Sequence, residues 1–159
     1  MNVPARPWSG CAGTFFFCIL VGAFGCDRAG RPEPVQLVIN GDTITLPEGT
    51  RVFDIEASAP GGSGSLRPSN VEVSVGDVVR FIATDGQPHA FVFEPDSSAG
   101  ALSAFLETSG QMRSPPLVSR DSRWIVSLEG APTGTYPFRC LTHNARGLLM
   151  VVARGVSGG

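Results

Sequence analysis

The sequence predicts an all-β fold, a sandwich of seven or eight short strands with one short helix. Twenty glycines and thirteen prolines in 159 residues favour many short elements joined by turns. Several stretches alternate apolar and polar residues, as half-buried strands do, and turn signals separate them at the spacing of a sandwich. A hydrophobic content of 42% is enough for one core, and the length suits one domain with appendages.

The first 25 residues are predicted to be a signal peptide of the lipoprotein type. Residues 12–24 form an apolar run that is too short to span a bilayer comfortably. The run ends in Ala23-Phe24-Gly25-Cys26, where small residues precede a cysteine. We therefore expect export, with a lipid on Cys26 that anchors the protein on the periplasmic or cell-surface side of a membrane. An ordinary secretory signal cut nearby is the alternative, and it also leads to export.

Two short segments are predicted to separate the signal from the main fold. Residues 26–34 are polar and proline-rich, which is typical of a tether. Residues 35–50 are predicted to form an N-terminal β-hairpin extension, because two short apolar runs flank Asn40-Gly41-Asp42. Asn-Gly between such runs is a strong hairpin signal. The sequence does not decide whether this hairpin joins the main sheet.

The remaining elements lie between residues 51 and 154. A region without β-alternation at 101–106 predicts the short helix, and the glycine-rich stretch 60–65 predicts a flexible loop. The final strand is nearly all apolar and is predicted to be buried, and residues 155–159 are predicted to be a flexible tail. The predicted strands cover residues 51–57, 70–75, 78–83, 87–93, 123–128, 134–140 and 147–153, with a short edge strand at 117–118.

The net charge and the cysteine content narrow the range of possible functions. The formal net charge of −2 argues against non-specific binding to nucleic acid. Cleavage of the signal would remove Cys11 and Cys18 and leave Cys26 at the new terminus. Cys140 would then be the one thiol inside the fold, in an oxidising compartment where thiols usually pair. A bound metal would account for such a thiol.

The same cysteine is close to a histidine. Cys140 ends a predicted strand, and His143 follows in a short loop. A thiolate and an imidazole are good ligands for a soft or borderline metal. The chain has two histidines, and the other, His89, lies in a second predicted strand. We expect the fold to bring these three residues together around one metal ion.

Four motifs in this part of the chain resemble those of a known family. They are Val-Ser-Val-Gly-Asp-Val-Val-Arg-Phe at 73–81, Pro-His-Ala-Phe-Val-Phe at 88–93, Gly-Thr-Tyr-Pro-Phe-Arg-Cys at 134–140 and Cys-Leu-Thr-His at 140–143. In this order they resemble the cupredoxins, in particular plastocyanin-like small blue copper proteins. The resemblance covers about residues 51–153.

The resemblance implies a Greek-key β-sandwich over residues 51–154 that binds one type 1 copper ion. His89, Cys140 and His143 would be the ligands, and the ion would cycle between Cu(II) and Cu(I). The implied function is the transfer of single electrons between periplasmic or membrane redox proteins, and the chain is not expected to be an enzyme. Partners would dock through a small, transient interface near His143. We expect a monomer that contacts the membrane only through its N-terminal lipid and does not bind nucleic acid.

The loop after His143 departs from the family pattern. Plastocyanin-like loops carry an axial methionine five residues after the histidine, and in an ungapped count Leu148 stands there. Leu148 would not coordinate, which should raise the reduction potential; Met150 is the alternative if the loop bulges. Two further departures are Ala90, where many members have an asparagine that ties the ligand loops together, and Arg146, which puts a positive charge near the expected electron-exit edge.

Other functions stay open at this stage. A copper storage or delivery protein would use the same ligands, although methionine-rich or histidine-rich segments are absent from the sequence. A metal-free cupredoxin-like binding domain is a second alternative, because a buried cysteine is usually an inert hydrophobe. Zinc could also use these three residues with water as the fourth ligand.

Overall fold

The computed structural model describes residues 35–39, 42–96 and 99–155. The described part contains ten strands, one α-helix and one 3₁₀ turn. The strands are β1 Gln36–Ile39, β2 Asp42–Thr45, β3 Val52–Ser58, β4 Ser65–Arg67, β5 Asn70–Ser74, β6 Val78–Ala83, β7 Phe91–Phe93, β8 Arg123–Ser127, β9 Gly134–Cys140 and β10 Arg146–Val152, and the helix α1 is Gly100–Thr108.

Eight of the strands form two four-stranded sheets. One sheet has the order β4-β3-β6-β8 and the other the order β5-β10-β9-β7. The pairs β3–β6 and β5–β10 are parallel. β5 lies in one sheet, whereas β4 and β6 lie in the other. The chain thus crosses repeatedly between the sheets. The predicted fold class, an all-β Greek-key sandwich with one short helix, is confirmed.

The core lies between the two sheets and is rich in aromatic rings. Alternation along β9 turns Phe138 and Cys140 inward, so Cys140 is the last inward residue of its strand. At the centre, the ring of Phe81 lies 4.7 Å from that of Phe91, 5.1 Å from that of Trp124 and 5.0 Å from that of Phe138. Close packing of these rings holds the ends of β7 and β9 in fixed positions.

β7 is shorter than the strand predicted around His89, and covers only Phe91–Phe93. His89 itself forms a single antiparallel bridge with Leu117, through two backbone hydrogen bonds of 2.8 Å. Pro115 lacks the N–H that the next pair of ladder bonds would need. The edge strand predicted at 117–118 is therefore reduced to this one bridge.

β4 was not predicted. The glycine-rich stretch that the sequence marks as a flexible loop forms a 3₁₀ turn at Pro60–Gly62, and the chain then pairs with β3 as β4. The helix prediction holds, although α1 extends further at both ends than 101–106.

β10 is buried on one face only, which corrects the prediction of a wholly buried strand. Leu149 and Val151 face the core and are 0% and 2% exposed, whereas Met150 and Val152 are 37% and 38% exposed. The outer face of a sheet in a two-layer sandwich meets solvent even where its residues are apolar. Periodicity could not show this, because both faces of β10 carry apolar side chains.

β1 and β2 pair antiparallel with each other, from Gln36 opposite Thr45 to Ile39 opposite Asp42. They form a separate two-stranded sheet and join neither four-stranded sheet. The predicted signal peptide 1–25, the tether 26–34 and residues 156–159 of the predicted tail lie outside the described residues. In the part of the chain that the structure describes, no helix is long and apolar enough to cross a membrane.

A buried carboxylate ties together the end of the sandwich where β6 begins. The side chain of Asp77 is fully buried and accepts hydrogen bonds from the Arg51 guanidinium at 2.8 Å, the Arg154 guanidinium at 2.9 Å and the Ser74 backbone N–H at 2.8 Å. Arg154 also donates to the backbone oxygen of Gly49 at 2.6 Å. This Asp77 node links segments that precede β3, follow β5 and follow β10.

Candidate metal centre

Three potential metal ligands meet at the other end of β6. Cys140 is the last residue of β9, His143 lies in the loop to β10, and His89 lies between β6 and β7. Their ligand atoms all lie within 4.8 Å of one another. The structure thus brings together the three residues that the sequence singled out.

Both histidines turn the same ring nitrogen toward the sulfur. Nδ1 of His89 lies 3.7 Å from Sγ of Cys140, and Nδ1 of His143 lies 3.8 Å from it. The two rings are 4.9 Å apart between centroids. His89 and Cys140 are each 1% exposed, whereas His143 is half-buried. The cluster therefore has a dry inner side and one edge that solvent or a partner can reach.

Asp85 fixes the ring of His89. Its Oδ1 lies 2.9 Å from Nε2 of His89, and the backbone N–H groups of Ala59 and Gln87 donate to the same carboxylate at 2.6 and 3.1 Å. The hydrogen bond with His89, followed by those from the backbone, lowers the pKa of Asp85 to about 2. An ionised carboxylate can only accept, so Nε2 carries the proton and the Nδ1 lone pair faces Cys140.

Thr142 connects the two ligand segments. Its hydroxyl donates to the backbone oxygen of Pro88 at 2.9 Å and lies 3.1 Å from Sγ of Cys140. The backbone N–H of Leu141 also donates to the backbone oxygen of Ala90 at 2.7 Å. These two contacts bind the ligand loop to the His89 segment, the task that the sequence analysis assigned to an asparagine in place of Ala90.

The surroundings of Cys140 favour its ionised form. Burial raises the pKa of the thiol, but hydrogen bonding with the Thr142 hydroxyl and with the Ala90 backbone N–H, together with smaller contributions from the two imidazole rings, outweighs burial and lowers the pKa to about 6. Such a thiol is largely thiolate at neutral pH, and the thiolate is the form that binds metals.

Gly64 packs against the ligand loop from the opposite sheet. A Cβ at Gly64 would lie 2.7 Å from Cβ of His143 and 2.9 Å from Cβ of Ala145, closer than real side-chain atoms approach. Only glycine therefore lets the segment before β4 lie directly against the loop. The roles of Gly64, Asp85 and Thr142 are not evident from the sequence; only Thr142, inside the Cys-x-x-His stretch, carries a local signal.

The two residues considered for the axial position are not brought to the cluster. Leu148 and Met150 share the outer face of β10, and Met150 is opposite Thr135. Thr135 is five residues from Cys140 along β9, about 17 Å at the rise of an antiparallel strand. Cys26, the predicted lipidation site, lies outside the described residues.

Two packed β-sheets with a thiolate and two imidazoles converging at one end define a metal-binding β-sandwich protein. The family model described as copper binding proteins of the plastocyanin/azurin family matches residues 53–154. The chain belongs to this family. Family members are generally electron carriers rather than enzymes, and membership supports a blue copper electron-transfer protein in general terms.

Individual relatives point the same way. Chloroplastic plastocyanin from Pisum sativum is 27% identical over 126 residues, which cover 78% of this chain and 72% of the relative. A mutant plastocyanin of a fern is 25% identical, with a TM-score of 0.53 over 62% of this chain and 99% of its own. Plastocyanin from Dryopteris crassirhizoma is 24% identical, with the same TM-score and coverage, and supports the fold.

The donor set fits copper. One thiolate and two neutral imidazoles form the His₂Cys arrangement typical of blue-copper sites. In this protein the pKa of the Cys140 thiol is lowered, and Nδ1 of both histidines is directed at the sulfur. The copper-binding family and this cluster together support copper as the cofactor.

Asp85→Asn is expected to weaken Cu(II) binding by roughly 10–100-fold, as loss of a ligand's hydrogen-bond partner typically does. Asparagine keeps the shape and an acceptor oxygen but loses the charge that holds Nε2–H of His89. Competition with a chelator of known Cu(II) affinity measures the change. Asp121→Asn, an exposed aspartate in the turn before β8, is the matched control and should bind copper like the wild type. Equal affinities for the two variants would contradict the role of Asp85.

Proposed function

We propose that this chain is a type 1 copper electron carrier that moves single electrons between redox partners at a membrane. One copper ion is held by His89, Cys140 and His143. The observation that carries the proposal is that the ligand atoms of these three residues lie within 4.8 Å of one another. They do so at one end of a β-sandwich, in a chain of the plastocyanin/azurin family.

Copper supplies a one-electron couple between Cu(II) and Cu(I). The protein's contribution is to hold the donors still. Cys140 is anchored by strand pairing and burial, His89 by Asp85, and the loop with His143 by Thr142 and Gly64. A site that cannot rearrange easily forces both oxidation states into similar surroundings, which keeps the reorganisation that accompanies electron transfer small.

The exposed edge of the cluster is the proposed route for electrons. His143 is half-buried, while His89 and Cys140 are closed off from solvent. Gln87 and Pro88 are exposed next to His89 in the chain, and Pro88 accepts the hydrogen bond from Thr142 in the ligand loop. Redox proteins meet through small, weak interfaces, and the exposed residues around His143 suit such an encounter.

The proposed location follows from the N-terminal sequence. Plastocyanin-like proteins are typically exported, and the apolar run before Cys26 has signal-peptide length. A lipid on Cys26, followed by the tether 26–34, would keep the monomeric carrier close to membrane-bound redox proteins. Mass spectrometry of the protein purified from membranes tests this part: a diacylglycerol mass on an N-terminal Cys26 is expected, and an unmodified terminus elsewhere would contradict it.

Reversible electrochemistry tests the carrier function. The purified protein should bind one equivalent of copper and show a one-electron wave whose position is unchanged over repeated cycles. A Cu(I) chelator in modest excess should not remove the metal during these cycles. Rapid loss of Cu(I) to the chelator would instead identify a copper-delivery protein, and failure to bind copper would leave a metal-free domain. Either result overturns the proposal.

A further inference from the structure

The geometry points to Ala145 as the residue that occupies the fourth, axial position of the copper site, in place of Leu148 or Met150. This inference rests on the proposed function, and it names the residue that would tune the reduction potential of the copper site. A copper ion bound there would receive three protein donors and no side-chain donor from the axial residue.

Strand register places Ala145 beside Cys140. β9 and β10 are antiparallel, with Arg146 opposite Arg139. One step further along both strands, the backbone N–H of Cys140 donates to the backbone oxygen of Ala145 at 2.8 Å. The loop that contains His143 therefore consists of residues 141–144, and pairing between β9 and β10 begins again at Ala145.

The face of the sheet gives the direction of the side chain. Residues directly opposite each other in an antiparallel pair project to the same face. Cys140 projects into the core, and so do Leu149 and Val151, which share the alternation of Ala145 along β10. Ala145 packs against the hydrophobic core. Leu148 has the opposite alternation and lies on the outer face with the exposed Met150.

A second observation, independent of the register, places Ala145 next to a ligand. The Cβ atoms of His143 and Ala145 lie 2.7 and 2.9 Å from one common point, the position that a Cβ on Gly64 would take. Ala145 is therefore a neighbour of both His143 and Cys140. The fourth position faces a methyl group, which carries no lone pair for a metal.

The consequence concerns the preference of the site for Cu(I). The axial ligand of a His₂Cys site tunes its reduction potential. A methyl group there withholds a donor from Cu(II), which gains more from a fourth ligand than Cu(I) does. The wild-type site should therefore have a higher potential than the same site with a thioether in this position.

Ala145→Met tests the assignment, with Leu148→Met as the matched control. We expect Ala145→Met to change the visible absorption and electron paramagnetic resonance spectra of the Cu(II) protein. Its binding of Cu(II) relative to Cu(I) should rise about tenfold, a fall of about 59 mV in potential. Leu148→Met should match the wild type in both spectra and potential, because its side chain lies outside the sandwich.

Two further measurements keep the test decisive. Ala145→Gln offers an oxygen donor at the same position and should shift the spectra even if Ala145→Met does not fold. Circular dichroism reports whether each variant is folded. The inference is overturned if folded Ala145→Met and Ala145→Gln both keep the wild-type spectra, or if Leu148→Met shifts them. A wild-type protein without a thiolate-to-copper band would instead overturn the proposed function itself.

Discussion

Cys140→Ser is expected to abolish the intense visible absorption of the Cu(II)-loaded protein. That absorption is charge transfer from a thiolate to Cu(II), and a serine hydroxyl does not ionise in this environment. The side chain keeps its size and its hydrogen-bonding capacity, so the fold should persist. Strand pairing at the residue depends on its backbone N–H, which donates to Ala145, and not on its sulfur.

Absorption spectra of copper-titrated wild type and variant measure this effect. Cys26→Ser is the matched control, because the same substitution is made at a cysteine that the proposal places at the lipid anchor. It should leave the band intact. If Cys140→Ser retained the band, or Cys26→Ser lost it, the assignment of the thiolate ligand would fail.

Asp77→Asn is expected to destabilise the fold by about 1.5–3 kcal/mol at pH 7, the usual contribution of a hydrogen bond to a charged group, because both arginine partners stay partly in contact with solvent. The carboxylate is 0% exposed and lies between Arg51 and Arg154. Its loss would leave both guanidinium groups with an uncharged partner. Urea unfolding followed by circular dichroism measures the difference, with Asp54→Asn as the matched control. Asp54 pairs with Arg80 on the surface, and such pairs contribute at most about 1 kcal/mol.

The pH dependence gives a second readout for Asp77. Burial raises the pKa of this carboxyl, but hydrogen bonds from Arg51 and from the Ser74 and Arg51 backbone N–H groups outweigh burial and lower it below the ordinary value of 3.8. A lowered folded-state pKa adds stability that is present above pH 4 and is lost as the pH falls below it. The gap between wild type and Asp77→Asn should therefore narrow in acid. A gap that is constant or widens toward pH 3 would contradict this account.

Much of the fold could be predicted because its strands alternate clearly. β5, β6 and β8 were expected within one residue of their observed bounds, since turns and polar residues mark both ends. β4 could not be predicted, because three residues in a glycine-rich stretch form a strand only when β3 offers them a partner. The exposure of the outer face of β10, and the separation of hairpin β1–β2 from the two main sheets, likewise depend on tertiary packing, which periodicity does not encode.

The convergence of His89, Cys140 and His143 could be predicted because ligand chemistry and motif spacing coincide in these residues. The outward orientation of Leu148 could not be predicted, because the count from His143 assumed a loop of the family's length. In the structure β10 begins at Arg146, so the ladder resumes earlier than the count allows, and Leu148 turns to the outer face. Asp85 was also invisible in the sequence, since its link to His89 exists only in the folded turn after β6.

The environment of the copper ion itself gives the most direct test of the central claim. X-ray absorption at the copper edge, on protein loaded with one equivalent of copper, should show one sulfur and two imidazole nitrogens bound to the metal. The sulfur should disappear in Cys140→Ser and the nitrogen count should fall by one in His143→Ala. A copper environment of nitrogen and oxygen alone in the wild-type protein would contradict the account.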